Sequence, residues 1–64
     1  MKKGDRLIWQ VDDKSYAAKP GARAVVTEDC RIYDEFVRVR WIDDLSNGQS
    51  DGGYFPYQFK KEEL

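Results

Sequence analysis

The segment FVRVRWI at residues 36–42 constrains the fold more than any other part of the chain. Its apolar and charged side chains alternate, which fits a β-strand and cannot form one face of a helix. The inner side of this strand would carry Val37, Val39 and Trp41. The outer side would carry Phe36, Arg38, Arg40 and Ile42. One buried and one charged face are typical of an antiparallel sheet, so we predict that Trp41 is buried and that Arg38 and Arg40 are exposed.

The same alternation, together with the turn residues between the runs, predicts further strands. They lie at Arg6–Val11, Ala22–Thr27, Gln49–Phe55 and Lys60–Leu64. Tight turns are predicted at Asp34-Glu35 and at Asn47-Gly48, where both residues tolerate the positive φ of a type I′ hairpin. Pro56–Phe59 predicts a single 3₁₀ turn before the last strand. The sequence therefore predicts an all-β fold, with residues 1–64 in one small barrel of about five antiparallel strands.

Aromatic side chains compensate for the small size of the chain. A domain of 64 residues buries only about 60% of the surface that its unfolded chain exposes. Each buried ring removes roughly 150–250 Å² from water. We expect the interior to contain Trp9, Trp41, Phe55 and Phe59. The four tyrosines are candidates for the surface, and they are Tyr16, Tyr33, Tyr54 and Tyr57.

The composition argues against catalysis. The chain has no histidine, which removes the usual general base and metal ligand near neutral pH. Adjacent carboxylates such as Asp43-Asp44 are expected to be solvated turn residues. A chain this short has no room for an enclosed substrate cavity beside its core. We expect no enzyme activity, no cofactor or metal, and no small-molecule substrate.

Cysteine content and hydropathy suggest a compartment. The single cysteine, Cys30, has no partner for an internal disulfide, which suits a reducing cytosol. No apolar run approaches the roughly 20 residues that span a bilayer. The opening MKKGDRLIW also lacks the pattern of a signal peptide. We expect a monomeric, cytoplasmic protein without a membrane partner.

Several segments resemble SH3-like families. Gly53–Phe59, GYFPYQF, resembles the end of SH3 domains, where a glycine, an apolar residue and a proline lead into a 3₁₀ turn. Gly4-Asp5, Gly21 and the VRVRW strand are similar to KOW-type modules and to a small photosystem accessory subunit of this fold. The resemblance covers nearly the whole chain and implies an SH3-like barrel. Arg6–Val11 lacks the ALYDY signature of SH3 domains and Trp41 lacks a tandem Trp, which argues against proline-rich peptides as ligands.

Protein binding fits most of these features. In an SH3-like arrangement the long first loop, the second connection and the 3₁₀ turn line one groove. Those segments contain Tyr16, Tyr33, Pro56 and Tyr57. Tyrosine is enriched in binding hot spots, so we predict a partner site in this groove, edged by acidic loops. The same rings would alternatively only cover the ends of the barrel. The compact size also suits a small phage or prophage accessory protein.

Nucleic-acid binding is the alternative function. Arg38 and Arg40 share one face with Arg23 of the predicted neighbouring strand, and this face could contact the phosphates of RNA or DNA. Eleven basic and twelve acidic residues give a net charge of −1, which argues against a strong attraction to a polyanion. The acidic pairs leave a third alternative, a surface that imitates the phosphates of a nucleic acid.

Overall fold

The computed structural model describes residues 1–29 and 35–62. Its five strands form one antiparallel sheet in the order β4-β3-β2-β1-β5. In chain order the strands are β1 (Arg6–Trp9), β2 (Arg23–Val26), β3 (Val37–Trp41), β4 (Gly52–Tyr54) and β5 (Phe59–Lys61). The sheet curls into a half-barrel. The predicted all-β fold of five antiparallel strands is confirmed, and the architecture is consistent with a small SH3-like barrel.

The strands and turns follow the sequence pattern closely. β1 to β4 lie within their predicted ranges, and β5 begins earlier than predicted, at Phe59. Two 3₁₀ helices connect the strands, η1 (Asp44–Ser46) and η2 (Pro56–Gln58), and η2 confirms the turn predicted before the last strand. Across residues 1–29 and 35–62 there is no α-helix, and hence no helix long and apolar enough to cross a membrane.

Burial alternates along the strands as predicted. In β3, Val37 and Val39 are buried, whereas Arg38 and Arg40 are exposed. Cross-strand pairs share a face of an antiparallel sheet, so the register extends this inner face into β2 and β1. The buried core contains Leu7, Trp9, Ala18, Ala22, Ala24, Val26, Val37, Val39 and Phe59.

Trp9 lies at the centre of this core and is 1% exposed. Its ring makes edge-to-face contacts with the rings of Tyr16, Trp41, Tyr54 and Phe59, at centroid distances of 5.1, 5.4, 5.6 and 5.1 Å. Such pairs add roughly 0.5–1.5 kcal/mol each beyond the area that they bury. The long first loop, β3, β4 and β5 are thus held against one side chain of β1.

The prediction that Trp41 is buried is wrong, because this side chain is half-buried. Trp41 is the last residue of β3, and β4 begins only at Gly52, which lies opposite Val39. No residue of β4 therefore lies opposite the indole. Its Nε1 donates a hydrogen bond to the carbonyl oxygen of Ser50 at 3.0 Å. The Trp41 backbone N–H donates to Oδ1 of Asp51 at 3.0 Å, in place of a strand carbonyl.

The expected division of rings between core and surface is also wrong for Phe55 and Tyr54. Tyr54 lies opposite the buried Val37, so its ring packs against the core. Its hydroxyl donates a hydrogen bond to the carbonyl oxygen of Ser50. Successive residues of a strand point to opposite faces, which places Phe55 outside, where it is 38% exposed. The prediction that Trp9 and Phe59 are interior is confirmed.

Asn47-Gly48 does not form the predicted two-residue hairpin. Both residues have positive φ, 51° for Asn47 and 80° for Gly48, as the sequence suggests. However, the Asp43 side chain accepts a hydrogen bond from the Leu45 N–H at 2.9 Å and caps the start of η1. Asn47 then ends η1 in a left-handed conformation. The β3–β4 connection is therefore longer than predicted, because an N-cap aspartate competes successfully with the tight turn.

Some predictions fall outside the described residues. The turn predicted at Asp34-Glu35 falls partly on residues 30–34, which also include Cys30 and Tyr33. The end of the last predicted strand, at residues 63–64, lies outside the described residues as well.

The two tryptophans should contribute unequally to stability. Replacing the fully buried Trp9 by Leu creates a cavity and should reduce the free energy of unfolding by about 3 kcal/mol or more. Trp41→Leu should cost about 1–2 kcal/mol, because this side chain is only half-buried. Urea unfolding followed by far-ultraviolet circular dichroism measures both costs. Equal destabilisation by the two variants would contradict the central position of Trp9.

Candidate functional site

Three exposed aromatic rings lie in contact on the outer surface. Phe36, Phe55 and Tyr57 are 48%, 38% and 76% exposed. The rings of Phe36 and Phe55 are 4.9 Å apart at an interplanar angle of 34°. Those of Phe55 and Tyr57 are stacked at 5.4 Å and 15°. We call these three side chains the aromatic strip, and contiguous exposed apolar surface of this kind commonly marks an interaction site.

The pairing of β3 with β4 brings the strip together. Val37 and Tyr54 are partners in the register, so Phe36 and Phe55 flank this pair on the outer side. Gly53 lies beneath the ring of Phe36, and a Cβ atom added at Gly53 would be only 3.4 Å from Phe36 Cβ. This distance is an ordinary van der Waals contact, so Gly53 lies directly against the Phe36 side chain on the outer face.

A buried glutamine fixes η2, which carries Tyr57. Gln58 is 4% exposed, and its Oε1 accepts a hydrogen bond from the Phe55 N–H at 2.9 Å. Its Nε2 donates to the hydroxyl of Tyr16 at 3.0 Å. Pro56 occupies the first turn of η2, where its missing N–H is not needed. The backbone that carries Tyr57 is therefore held by the hydrogen bonds of the buried Gln58.

The structure brings only some residues of the predicted tyrosine and proline site together. Tyr57 is exposed and belongs to the strip, and the half-buried Pro56 lies between Phe55 and Tyr57 in the chain. Tyr16 is half-buried and packs on Trp9, so it supports the site from within. Tyr33 lies outside the described residues. Sequence reasoning missed Phe36 and Phe55, although the outward phase of Phe36 on its strand was visible in the alternation.

Basic side chains cover the outer face of the sheet. Arg6 and Arg40 both lie opposite Val25, and Ile8 lies opposite both Arg23 and Lys60. We call this surface the basic face, and its exposed basic side chains are Arg6, Arg23, Arg38, Arg40 and Lys60. The predicted exposure of Arg38 and Arg40 is confirmed.

Ion pairs already engage part of the basic face. Arg23 Nε lies 3.7 Å from Oε1 of Glu62, and Arg38 Nε lies 3.7 Å from Oε2 of Glu28. The side chains of Arg38 and Glu28 are 66% and 68% exposed, so water and salt screen their attraction. Such a pair contributes little to stability and is easily exchanged for another carboxylate.

Five aspartates lie at one end of the sheet. Loops 10–22 and 42–51 join strand ends opposite to those at which Phe36 and Phe55 lie. Lys19 N–H donates to the carbonyl oxygen of Leu45 at 2.9 Å, and Gln49 Oε1 accepts from the Ala17 N–H at 2.7 Å, which ties the two loops together. We call this the acidic end, and it carries Asp12, Asp13, Asp43, Asp44 and Asp51. The other described carboxylates, Asp5, Glu28, Asp29, Glu35 and Glu62, lie elsewhere, so the charge of the molecule is only partly segregated.

Three carboxylates of the acidic end accept hydrogen bonds from backbone N–H groups. Oδ1 of Asp43 accepts from the Leu45 N–H and Oδ1 of Asp51 accepts from the Trp41 N–H. Asp13 Oδ1 accepts from the hydroxyl and the N–H of Ser15, and these bonds lower the pKa of the Asp13 carboxyl. In the described ranges, no three His, Cys, Asp or Glu side chains cluster so as to hold a metal ion.

Asp5 beside β5 has a similarly perturbed carboxyl. The Lys2 N–H donates to its Oδ2 at 2.9 Å, and Lys61 Nζ lies 3.5 Å from the same oxygen. The Lys2 hydrogen bond and then the Lys61 ammonium lower the pKa of Asp5. Because the folded-state pKa is depressed, the ionised carboxylate stabilises the fold above its ordinary pKa. That contribution is lost as the pH falls through the folded-state value.

The Asp5 carboxyl gives a direct test of this electrostatic arrangement. Lys61→Met should raise the pKa of Asp5 part of the way towards its ordinary value, because the Lys2 hydrogen bond remains. Lys60→Met is the matched control, since Lys60 points to the opposite side of the strand. Titration of the side-chain carboxyl carbon by NMR measures the pKa in both variants. An equal shift in both would show that the ion pair with Lys61 has no specific effect.

Comparison with known proteins adds no information about function. No protein-family model, curated protein or solved structure matches the chain. A function must therefore be argued from the aromatic strip, the basic face and the acidic end.

Proposed function

We propose that this protein is a non-catalytic interaction module that binds a protein partner through the aromatic strip. The observation that supports the proposal is the contact of three large, exposed rings on a domain that has a filled aromatic core of its own. The inner cluster around Trp9 does not need these rings. Their exposure costs solubility and stabilises nothing in the interior, which favours a role in binding.

The strip also has the rigidity that a binding surface needs. Aromatic side chains have few rotatable bonds, so they lose little conformational entropy when a partner immobilises them. Here the β3–β4 register holds Phe36 and Phe55, and Gln58 holds the turn that carries Tyr57. Pro56 adds a fixed backbone between two of the rings. Little conformational entropy would therefore be lost in ordering these side chains when a partner binds.

The residue types in and beside the aromatic strip are those that are common in protein interfaces. Arg38 and Phe36 line one shallow depression together with Gly53. Tyrosine, phenylalanine and arginine are enriched in the central part of protein interfaces. Tyr16 would act indirectly, since its hydroxyl accepts the hydrogen bond from Gln58 and its ring supports Trp9.

A reducing cytoplasm remains the compartment that we propose, because Cys30 has no internal disulfide partner.

Nucleic-acid binding remains a second candidate because of the basic face. Arg23, Arg38 and Arg40 lie on one surface, which Arg6 and Lys60 extend. A cationic groove beside aromatic rings is the usual arrangement for single-stranded nucleic acid. Two of these arginines, however, are already paired with carboxylates, and the net charge of the chain is −1. The stacked rings also cover each other's faces, which leaves less surface for bases.

Truncation of the strip should weaken partner binding without unfolding the domain. Phe55→Ser and Tyr57→Ser should each weaken the affinity by about 2 kcal/mol or more if these rings are hot spots. Ile42→Ser is the matched control, since Ile42 is another exposed apolar residue, 44% exposed, outside the strip. Partners captured from host extract with the wild-type protein would be identified by mass spectrometry and their affinities measured for each variant.

Two controls make this experiment decisive. Extracts are treated with nuclease, and the folded fraction of each variant is matched by thermal unfolding. A partner lost from Phe55→Ser and Tyr57→Ser but kept by Ile42→Ser supports the proposal. A partner that both strip variants retain, or one that nuclease removes, would contradict it.

A further inference from the structure

We propose that the partner segment bound at the aromatic strip is acidic and extended, with carboxylates that pair with Arg38 and Arg40 while an apolar side chain contacts Phe36. This inference rests on the proposed function and names the chemistry of its partner. Two observations support this inference. The strip lies at the border of the basic face, and Phe36, Arg38 and Arg40 are regularly spaced along the β3 segment.

The strip and the basic face are continuous. Phe36, Arg38 and Arg40 are alternate residues, and Arg38 and Arg40 are exposed on the outer side of β3. Arg38 shares a depression with Phe36, and Arg40 lines the next one with Lys3 and Thr27. A segment that covers Phe36 and continues along β3 therefore meets positive charge. Arg6, which lies opposite Val25 like Arg40, reinforces that charge.

The spacing favours an extended segment. Alternate residues of a strand are separated by roughly 6.6 Å, and an extended peptide has the same repeat. A segment laid along β3 can therefore place an apolar residue on Phe36 and acidic residues on Arg38 and Arg40 in register. The matching pattern is apolar-x-acidic-x-acidic, or its reverse for the opposite chain direction. Arginine pairs with carboxylates through directional, charge-assisted hydrogen bonds, which would fix this register.

Charge distinguishes the outer side of β3 from the acidic end, and the carboxylates nearest the strip are Glu28, which pairs with Arg38, and Glu35, which precedes Phe36. Asp12, Asp13, Asp43, Asp44 and Asp51 lie at the acidic end, which is opposite to Phe36 and Phe55 along the sheet. An acidic segment would be attracted to the basic face and repelled from the acidic end. An acidic segment should therefore dock on the outer side of β3 in preference to the acidic end.

The basic face already binds carboxylates of its own chain. Glu28 lies 3.7 Å from Arg38, and both side chains are largely exposed. Exchanging one exposed carboxylate for another is nearly neutral in free energy, so Glu28 does not block the site. A nucleic acid would need cations along a longer path than Phe36–Arg40, and the net charge of the chain is −1, whereas a short acidic segment needs only Arg38 and Arg40. The observations therefore favour an acidic peptide over a nucleic acid.

A random peptide library displayed on phage tests this inference without knowledge of the partner. Peptides of about 12 residues are selected on the folded protein, and enriched sequences are resynthesised for affinity measurement. We expect enrichment of acidic residues in alternate positions beside an apolar residue. Arg38→Gln with Arg40→Gln should weaken these peptides by about tenfold or more and reduce their salt dependence. Arg23→Gln, on the same face but outside this line, should have little effect.

The possible results distinguish the two proposals. Peptides that need Phe55 and Tyr57 but show no acidic enrichment would overturn this inference and leave the proposed function standing. If no selected peptide depends on the strip, both are overturned. A thymidine oligonucleotide that binds more tightly than every selected peptide, and loses affinity in the Arg38→Gln, Arg40→Gln variant, would overturn the inference in favour of a nucleic acid.

Discussion

The packing of four aromatic rings around Trp9 is the interaction on which the rest of the structure depends. β1 contributes this indole, and the first loop, β3, β4 and β5 each contribute a ring at 5.1–5.6 Å from it. A domain of 64 residues has little other apolar surface to bury. The curled sheet thus wraps around an aromatic centre, with small residues such as Ala22 and Ala24 where β2 approaches.

The inner cluster also determines what remains outside. Tyr54 packs on Trp9 at 5.6 Å, and the alternation of a strand then forces Phe55 outward. Val37 is buried opposite Tyr54, which forces Phe36 outward beside Phe55. The aromatic strip is therefore a consequence of how the core is filled. The basic face has the same origin, since Arg38 and Arg40 occupy the outer positions of a strand whose inner positions are valines.

Local sequence patterns predicted the elements, while their contacts depended on the register between strands. The alternation in VRVRW and the proline at residue 56 were sufficient to place β3 and η2. Trp41 is less buried than its pattern suggests, because β4 is too short to lie opposite it. The strip could not be predicted, since Phe36 and Phe55 are distant in the chain and meet only through the β3–β4 pairing. The prediction that Phe55 is interior and Tyr54 is at the surface was wrong, because the β3–β4 register places Tyr54 inside and Phe55 outside.

The central claim is that the rings divide into an enclosed cluster around Trp9 and an open strip that a partner covers. Paramagnetic relaxation of ring protons by a soluble gadolinium chelate measures this division directly in solution. The account predicts strong relaxation for Tyr57, Phe36 and Phe55 and protection of Trp9, with the three strip rings becoming protected when a partner binds. Protection of Tyr57 in the free protein, or strip rings that stay accessible in the complex, would contradict it.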